Sequence, residues 1–423
     1  MSRVVSALQV GTNLALYFSE YVKNIQIQLK GGWVLKEVIV LGAAGTIGNV
    51  IMRDLVESGV EVIGADMDIN RLQQLKNELN AKNLAVYSLD IRDHQKTTEL
   101  LQKAKVCVNA TNYIFNMDVM KMAANAKVDV LDLGGLYNVT KEQLKYDDFM
   151  KEAGVLSIPG MGSDPGISNV LSRYGVEQLD TAEEIHIRYG STTTGATFPF
   201  AIDTIIDEAT KSAMVVRNGH LYEIPPLSEE EDTIFHEKLG VQRTYSILHS
   251  ELATLPLSFP QVKEITYKDT WDPSTIEKIN MLEQFGLLNN HRHNNSLSAR
   301  QKLVSLLKET ISEDPKWGTD ELMVEVKGTK AGKKASIKLE LLCGWQEKWN
   351  INALAYVTSM PASIVAQMLL NKEIEGTGVK PPEQCIDPSK FISYLTQKNI
   401  TLLSTYCETE QIQKNPQTIL SNI

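Results

Sequence analysis

Four cysteines stand in 423 residues, at Cys107, Cys343, Cys385 and Cys407, and no two have CxxC spacing. That scarcity and scatter exclude a disulfide scaffold and a cysteine-based zinc site, and suit thiols kept reduced. Positive charge is short too. Lys and Arg number 42 against 52 Asp and Glu, a formal net charge of −10, which argues against nucleic acid or an anionic membrane as the main partner. No long apolar run stands out. The nearest candidate, residues 4–22, is broken by Gln9, Asn13, Ser19 and Glu20, and lacks the compact apolar centre and cleavage site of a signal peptide. The expectation is a cytoplasmic protein with no membrane partner.

What the chain does have is periodic order. Its 423 residues exceed one ordinary core and set an expectation of two or three domains. From Lys36 onward, short apolar runs at 38–41, 62–65, 84–87, 106–109, 128–131 and 155–158 alternate with amphipathic stretches. Val50, Ile51, Leu55 and Val56 mark the buried side of the first of those stretches. The alternation predicts βαβ units, hence an α/β fold whose first half is a doubly wound parallel sheet. Further strands near 184–189, 214–217, 221–224, 264–267, 321–326 and 335–342 predict a second α/β domain of mixed character. Between the last two, 327–334 reads as an exposed basic hairpin turn, and 289–296 reads as a polar surface loop. The expected division is an extension at 1–34, the parallel-sheet domain at 35–165, the second domain at 166–350, and a helix with a tail at 351–423.

The first run ends in Gly42-Ala43-Ala44-Gly45-Thr46-Ile47-Gly48, between a predicted strand and a predicted helix. Gly42 permits a tight turn, Gly45 lets backbone approach a pyrophosphate, and Gly48 lets helix and strand pack closely. Around Ala44, Thr46 and Ile47 the helix start offers free N–H groups and a positive dipole end to phosphates. The spacing is GxxGxxG rather than GxGxxG. Asp66 ends the second strand, where a carboxylate bonds the adenosine ribose hydroxyls and repels a 2′-phosphate. The cofactor reading is therefore NAD, with NADP second because Arg71 lies close behind. Asp90 and Ile91, after the third strand, either flank the adenine or form a plain turn.

Four more segments carry a family resemblance. They are Val108-Asn109-Ala110-Thr111-Asn112-Tyr113 with Phe115-Asn116, Asp132-Leu133-Gly134-Gly135, IPGMGSDPG at 158–166, and MPASIVAQML at 360–369. Together they resemble the saccharopine dehydrogenase and lysine 6-dehydrogenase family, over roughly residues 36–400. The resemblance implies an N-terminal Rossmann domain and a second domain with substrate contacts and a homodimer interface. It also implies a late helix, here 353–370 and kinked or interrupted at Pro361, that returns to the Rossmann side. Packing on the second domain alone is the other reading of that helix. Segments 190–199 and 249–256 resemble the saccharopine branch more than lysine 6-dehydrogenases.

Ligands of such sheets sit outside the carboxyl ends of the strands. Asn109, Asp132 and the 159–166 loop all fall there. Asn109, Ala110 and Thr111 are accordingly candidate cofactor contacts, and Gly134, Gly135, Pro165 and Gly166 candidate substrate contacts. Asp132 and Asp164 are candidates to hold a substrate ammonium, although Asp164 and Pro165 also suit the N-cap and first turn of the next helix. Among the histidines, His94, His220, His236, His291 and His293 lie in polar stretches, and His186 alternates within a strand. His249, before the small-residue segment 250–256, is the candidate general base, a structural role being the alternative. Arg188 is the candidate for the substrate carboxylate, with Arg243 and Lys268 also available. No set of residues reads as a metal site.

The family resemblance implies oxidation of a C–N bond in an amino acid of the lysine–saccharopine type. Hydride leaves the carbon bearing nitrogen, and water hydrolyses the resulting imine; a base must first free the nitrogen of its proton. Saccharopine is the leading substrate and lysine the second. Saccharopine carries three carboxylates and lysine one, so the cations converging on the pocket would tell them apart. A nucleotide-binding sensor without turnover is the rival of another class. A short-chain epimerase is set aside because no YxxxK pair stands where that chemistry needs it. Lys30-Gly31-Gly32 can be encoded by a tract like a bacterial ribosome-binding site, and Val34 or Leu35 by alternative start codons. The native chain is thus expected to start there, an amphipathic oligomerisation arm being the alternative.

Overall fold

The computed structural model describes residues 37–192, 202–291, 297–310 and 317–409. The N-terminal extension, most of segment 190–199 and His293 lie outside the described residues.

The first half of the chain lays down β1 (Glu37–Leu41), α1 (Thr46–Glu57), β2 (Glu61–Asp66), α2 (Ile69–Leu79), β3 (Leu84–Ser88) and α3 (His94–Leu101). Then come β4 (Val106–Asn109), α4 (Asn116–Ala126), β5 (Asp129–Asp132), α5 (Leu136–Leu144), α6 (Asp147–Ala153) and β6 (Leu156–Ile158). The strands stand in the order 6-5-4-1-2-3 with every pair parallel. Val38, Ile39 and Val40 are all fully buried, because helices cover both faces and leave no solvent side for a polar alternation. This is the doubly wound Rossmann order, and its strand ends converge on one crevice.

The second half begins with α7 (Ile167–Gln178), β7 (Thr181–Ser191), α8 (Ile202–Thr210), β8 (Ala213–Arg217), β9 (His220–Ile224), β10 (Ser228–Ile234) and β11 (Val241–Ser246). It continues through α9 (Glu251–Ser258), β12 (Glu264–Thr270), α10 (Pro273–Gln284), α11 (Ala299–Thr310), β13 (Thr319–Lys330) and β14 (Lys333–Gly344). After α12 (Ala353–Leu370) come β15 (Gly378–Val379), α13 (Pro382–Cys385), α14 (Pro388–Leu395) and β16 (Thr401–Thr409). A nine-stranded mixed sheet runs β10-β11-β12-β7-β13-β14-β16, with β8 and β9 branching from β12. The pleat sorts its side chains: Ile185, Ile187 and Tyr189 join the main core, while His186 and Arg188 face the other way.

Four expectations change. The basic hairpin turn shrinks to Ala331-Gly332, both at positive φ, since Lys330 and Lys333 are still paired in the ladder. Residues beyond 370 are more than a tail: β15 extends the Rossmann sheet in parallel beside β6, and β16 edges the second sheet on β14. Pro361 lies inside α12 without ending it. That same helix is 18 residues long and apolar enough to cross a bilayer, which the search for apolar runs missed. Most of it is buried, so its apolarity serves a core. Ser363 Oγ donates to Asp54 Oδ2 on α1 at 2.6 Å, and Ser359 Oγ donates to the Ile47 carbonyl at 3.1 Å.

Candidate active site

Gly42 turns the chain out of β1 with φ of 77°. A Cβ there would meet the Ala110 carbonyl at 2.8 Å, and one at Gly48 would meet the Gly42 carbonyl at 2.1 Å. Neither position has room for a side chain. At Gly45 the nearest obstacle is the Gly42 carbonyl at 3.3 Å, so the outer side of the loop stays open. Gly45 is also the N-cap of α1 and brings no capping side chain, which leaves the Thr46 and Ile47 N–H groups for a ligand. This backbone cradle fits the pyrophosphate of a dinucleotide. Asp66 Oδ2 accepts from the Ala44 N–H at 3.1 Å, and Oδ1 accepts from the Asp68 N–H at 3.0 Å, so its carboxylate is fixed beside the loop.

The neighbouring strand ends are shaped by amides. Asn109 is buried; its Oδ1 accepts from Thr111 N–H at 3.2 Å and Oγ1 at 2.6 Å, and its Nδ2 donates to Asn116. Asn116 donates in turn to the Gly134 carbonyl at 3.0 Å, and Ala110 N–H bonds the Leu41 carbonyl. Asp90 pairs with Arg92 on the surface, and that hydrogen bond holds its carboxyl down at about 2; Ile91 packs half-buried behind it.

Asp132 has a different job from the one expected. Its Oδ1 accepts from Gly134 N–H at 2.8 Å and Gly160 N–H at 3.0 Å, and its Oδ2 accepts from Gln143 Nε2 at 2.7 Å. Both oxygens are engaged in burial, so Asp132 ties two loops together and does not present a carboxylate to substrate. The Pro165 ring sits between Gly134 and Gly160; a Cβ on either would meet Pro165 Cγ at 2.8 Å. Gly135 carries the chain into α5. The N-cap of α7 is Gly166, with φ of 129°, and not Asp164. Asp164 is freed for another partner, accepting from the Tyr267 hydroxyl.

Around that contact the site assembles. The His249 ring stacks on Tyr267 with centroids 3.9 Å apart and planes 4° from parallel. Its Nδ1 pairs with Glu251 Oε2 at 2.5 Å, and Glu251 Oε1 accepts from Ser168 Oγ, in the first turn of α7, at 2.7 Å. Nε2 makes no hydrogen bond among the described residues and remains available to a ligand. Burial alone would depress the imidazole, but Glu251, Asp164 and Glu208 outweigh it and hold His249 up at about 9. Burial, with Glu251 nearby, lifts Asp164 to about 6; burial, with Asp164, Asp207 and Glu251 nearby, lifts Glu208 to about 8; Asp269 is raised as well. Four acids, Asp164, Glu208, Glu251 and Asp269, thus interact electrostatically with one imidazole. His249 is a cation at neutral pH, a proton donor rather than the ready-made base expected.

The expected cations are elsewhere. Arg188 and Lys268 stand side by side in register on the opposite face of the sheet from Tyr267, and both bind Glu231 at 2.5 Å. Arg243 pairs with Asp232 and Glu230. Arg300 on α11 is closer to the Rossmann half but is taken by Asp203 and Asp207, and Asp207 also accepts from the Tyr113 hydroxyl. His186 is held by Glu184 and Thr266. Glu184, His186 and Glu264 have potential ligand atoms within 4.8 Å of one another, on that same opposite face, with the Lys327 ammonium already 3.8 Å from Glu184. Tyr137 and Lys141 do have YxxxK spacing, but Tyr137 is buried and the Lys141 ammonium lies over its ring at 5.3 Å, so neither is aimed at a substrate.

Sequence reasoning passed over Glu208, Glu251, Tyr267 and Asp269. The His-x-Glu spacing of His249 and Glu251 was a signal for an acid orienting an imidazole. Glu208 carried none, since it looks like any acid on an amphipathic helix.

Comparison with known proteins agrees with this fold. Residues 38–158 match the family model for the saccharopine dehydrogenase NADP binding domain, and residues 162–400 match that for the saccharopine dehydrogenase C-terminal domain. Carboxyaminopropylagmatine dehydrogenase of Synechocystis sp. is 24% identical over 390 residues, 86% of this chain and 96% of that protein. Carboxynorspermidine synthase of Vibrio alginolyticus is 24% identical over 370 residues, 81% of this chain and 88% of that protein. Among solved structures, apo saccharopine dehydrogenase (L-Glu forming) from Saccharomyces cerevisiae has the same fold, with a TM-score of 0.69 at 15% identity over 88% of this chain and 100% of that one. The chain belongs to the saccharopine dehydrogenase family of dinucleotide-binding oxidoreductases.

Proposed function

We propose that this protein acts on the C–N bond of a carboxyalkyl amine whose other end carries positive charge, a carboxylated polyamine, rather than on saccharopine. The observation that carries the reading is the site's acidic make-up: Asp164, Glu208, Glu251 and Asp269 all interact with His249, two of them kept protonated until a cation arrives, while Arg188, Arg243, Lys268 and Arg300 are all engaged by other acids. A substrate with three carboxylates would meet repulsion there, and a polyamine would meet attraction. Two relatives that match over most of this chain are named for carboxylated amines of that kind, which supports the reading.

A nicotinamide dinucleotide whose pyrophosphate rests on the glycine cradle would supply or accept the hydride. The chain's own residues handle the proton. In the C–N bond-forming direction an amine adds to an aldehyde, and the resulting carbinol hydroxyl leaves as water after taking the proton of His249 Nε2. Glu251 holds the other ring nitrogen and stabilises the charged imidazole. In the reverse direction neutral His249 accepts that proton when water adds to the imine.

For the cofactor we propose NAD. Asp66 is fixed where a ribose 2′-hydroxyl would bond it and a 2′-phosphate would be repelled. The family's domain description weighs toward NADP. A homodimer belongs to the proposal on family resemblance alone. The deciding experiment follows 340-nm absorbance with NAD and NADP in parallel on carboxyalkyl diamines, saccharopine and lysine. Turnover of saccharopine or lysine above the carboxylated amines would overturn the substrate reading. Tight cofactor binding without turnover on any amine would favour the sensor.

A further inference from the structure

Glu208 is a buried acid in want of a partner. It is 5% exposed on α8, yet makes no hydrogen bond or ion pair among the described residues. Its neighbours Asp207 and Asp203 are taken up by Arg300, and Glu251 by His249 and Ser168. Asp269, near the end of β12, accepts from the Thr270 backbone N–H and has no ion pair among the described residues. Asp269 shares a face of β12 with Tyr267, on which the His249 ring stacks, and both acids feel the charges of Asp164 and His249. An apolar or amide side chain would cost less at either position, because burying like charges without compensation is expensive. Such an arrangement is a mark of a site awaiting a cation. His249 acts on Glu208 through its charge but makes no hydrogen bond to it, since its Nδ1 faces Glu251.

Resting on the polyamine reading above, we propose that Glu208, with Asp269 beside it, binds the distal ammonium of the substrate and sets the preference for an amine tail over a neutral or acidic one. The reacting nitrogen lies nearer His249, and the Glu208–Asp269 pair reads the group at the far end of the tail. These two are specificity residues; the proton transfer stays with His249.

The test compares two substrates of equal length, a carboxyalkyl diamine and its analogue with a terminal methyl in place of the ammonium. In the wild-type full chain the kcat/KM ratio of the first to the second should exceed about tenfold, carried by KM. Glu208→Gln, which keeps shape and removes charge, should collapse that ratio toward one; Asp269→Asn should lower it part of the way. Thermal melting checks folding, and Asp269→Asn carries the test should Glu208→Gln fail to fold. A ratio that survives in the folded variants, or one near unity in the wild type, would overturn the proposal. If no amine is turned over, the reaction reading fails by itself. Calorimetric binding of 1,3-diaminopropane to the wild type with NAD present, lost in Glu208→Gln, would still uphold the cation site, and no binding would sink it.

Discussion

Asp54 and Ser363 are 309 residues apart in the chain and share a hydrogen bond of 2.6 Å. Asp54 is buried at the interface of α1 with α12, where Lys398 also reaches it at 2.6 Å. The first helix after the glycine loop is therefore held in place by residues from the last quarter of the chain. Ser363→Ala should destabilise the fold by about 1–2 kcal/mol, since the buried carboxylate loses one of its donors. Urea denaturation reads this directly, and an unchanged midpoint would show that Lys398 satisfies Asp54 alone.

Cofactor choice should turn on Asp66. The wild type is expected to bind NAD more tightly than NADP, and Asp66→Ala should erode the ratio of dissociation constants by about tenfold, roughly 1.4 kcal/mol. Fluorescence titration of both cofactors measures it. Clear NADP preference in the wild type would refute the assignment.

Glu251 should govern the proton on His249. With Glu251→Gln, burial has less to oppose it, and the imidazole should fall from about 9 by about two units or more. The C–N bond-forming rate, which needs protonated His249, should then lose its alkaline limb at a lower pH. Ser168→Ala, which removes a donor to the other Glu251 oxygen, should move the limb less. A limb unmoved in Glu251→Gln would remove His249 as the donor.

Stability without ligand should decline as pH rises from weakly acid to weakly alkaline. Glu208 rises from 4.5 to about 8 and Asp164 from 3.8 to about 6 on folding, so the unfolded chain ionises first and gains on the native state across those windows. His249 rises from 6.5 to about 9, a contribution complete below 6.5 and lost as pH climbs through 9. All three act in one direction, and the melting temperature should fall between about pH 4.5 and 9. Glu231 works at the other end: held down at about 2 despite its burial by Arg188 and Lys268, it gives stability above 4.5 that is lost as pH falls toward 2. Glu208→Gln should flatten the decline between about pH 4.5 and 8, and an equal slope in both proteins there would remove Glu208 from this account.

The dinucleotide half was legible because its signals are local. Gly42, Gly45, Gly48 and Asp66 lie within one βαβ unit, and Gly42 and Gly48 stand where any side chain would strike backbone. The chemical centre draws on α7, α8, α9, β12 and the 159–166 loop, so no window of sequence contains it. Arg188 was misplaced for a simple reason. Whether a strand residue faces a site depends on parity along the pleat, and parity relative to Tyr267 is defined only once β7 and β12 are paired, with Ile187 opposite Tyr267 and Arg188 opposite Lys268. Asp132 and Asp164 end in loops of similar kind, yet neighbouring N–H groups claim one and leave the other for a tyrosine.

The parallel pairing of β15 with β6 has a bearing on how the protein is made. The dinucleotide-binding sheet is complete only when residues 378–379 arrive, and α12 must arrive before them to cover α1. During synthesis the first domain therefore leaves the ribosome with an open sheet edge and an apolar helix face, and keeps both until most of the second domain has followed. A fragment ending near residue 166 is expected to aggregate, whereas the same strands in the full chain are closed by their own C-terminal segment.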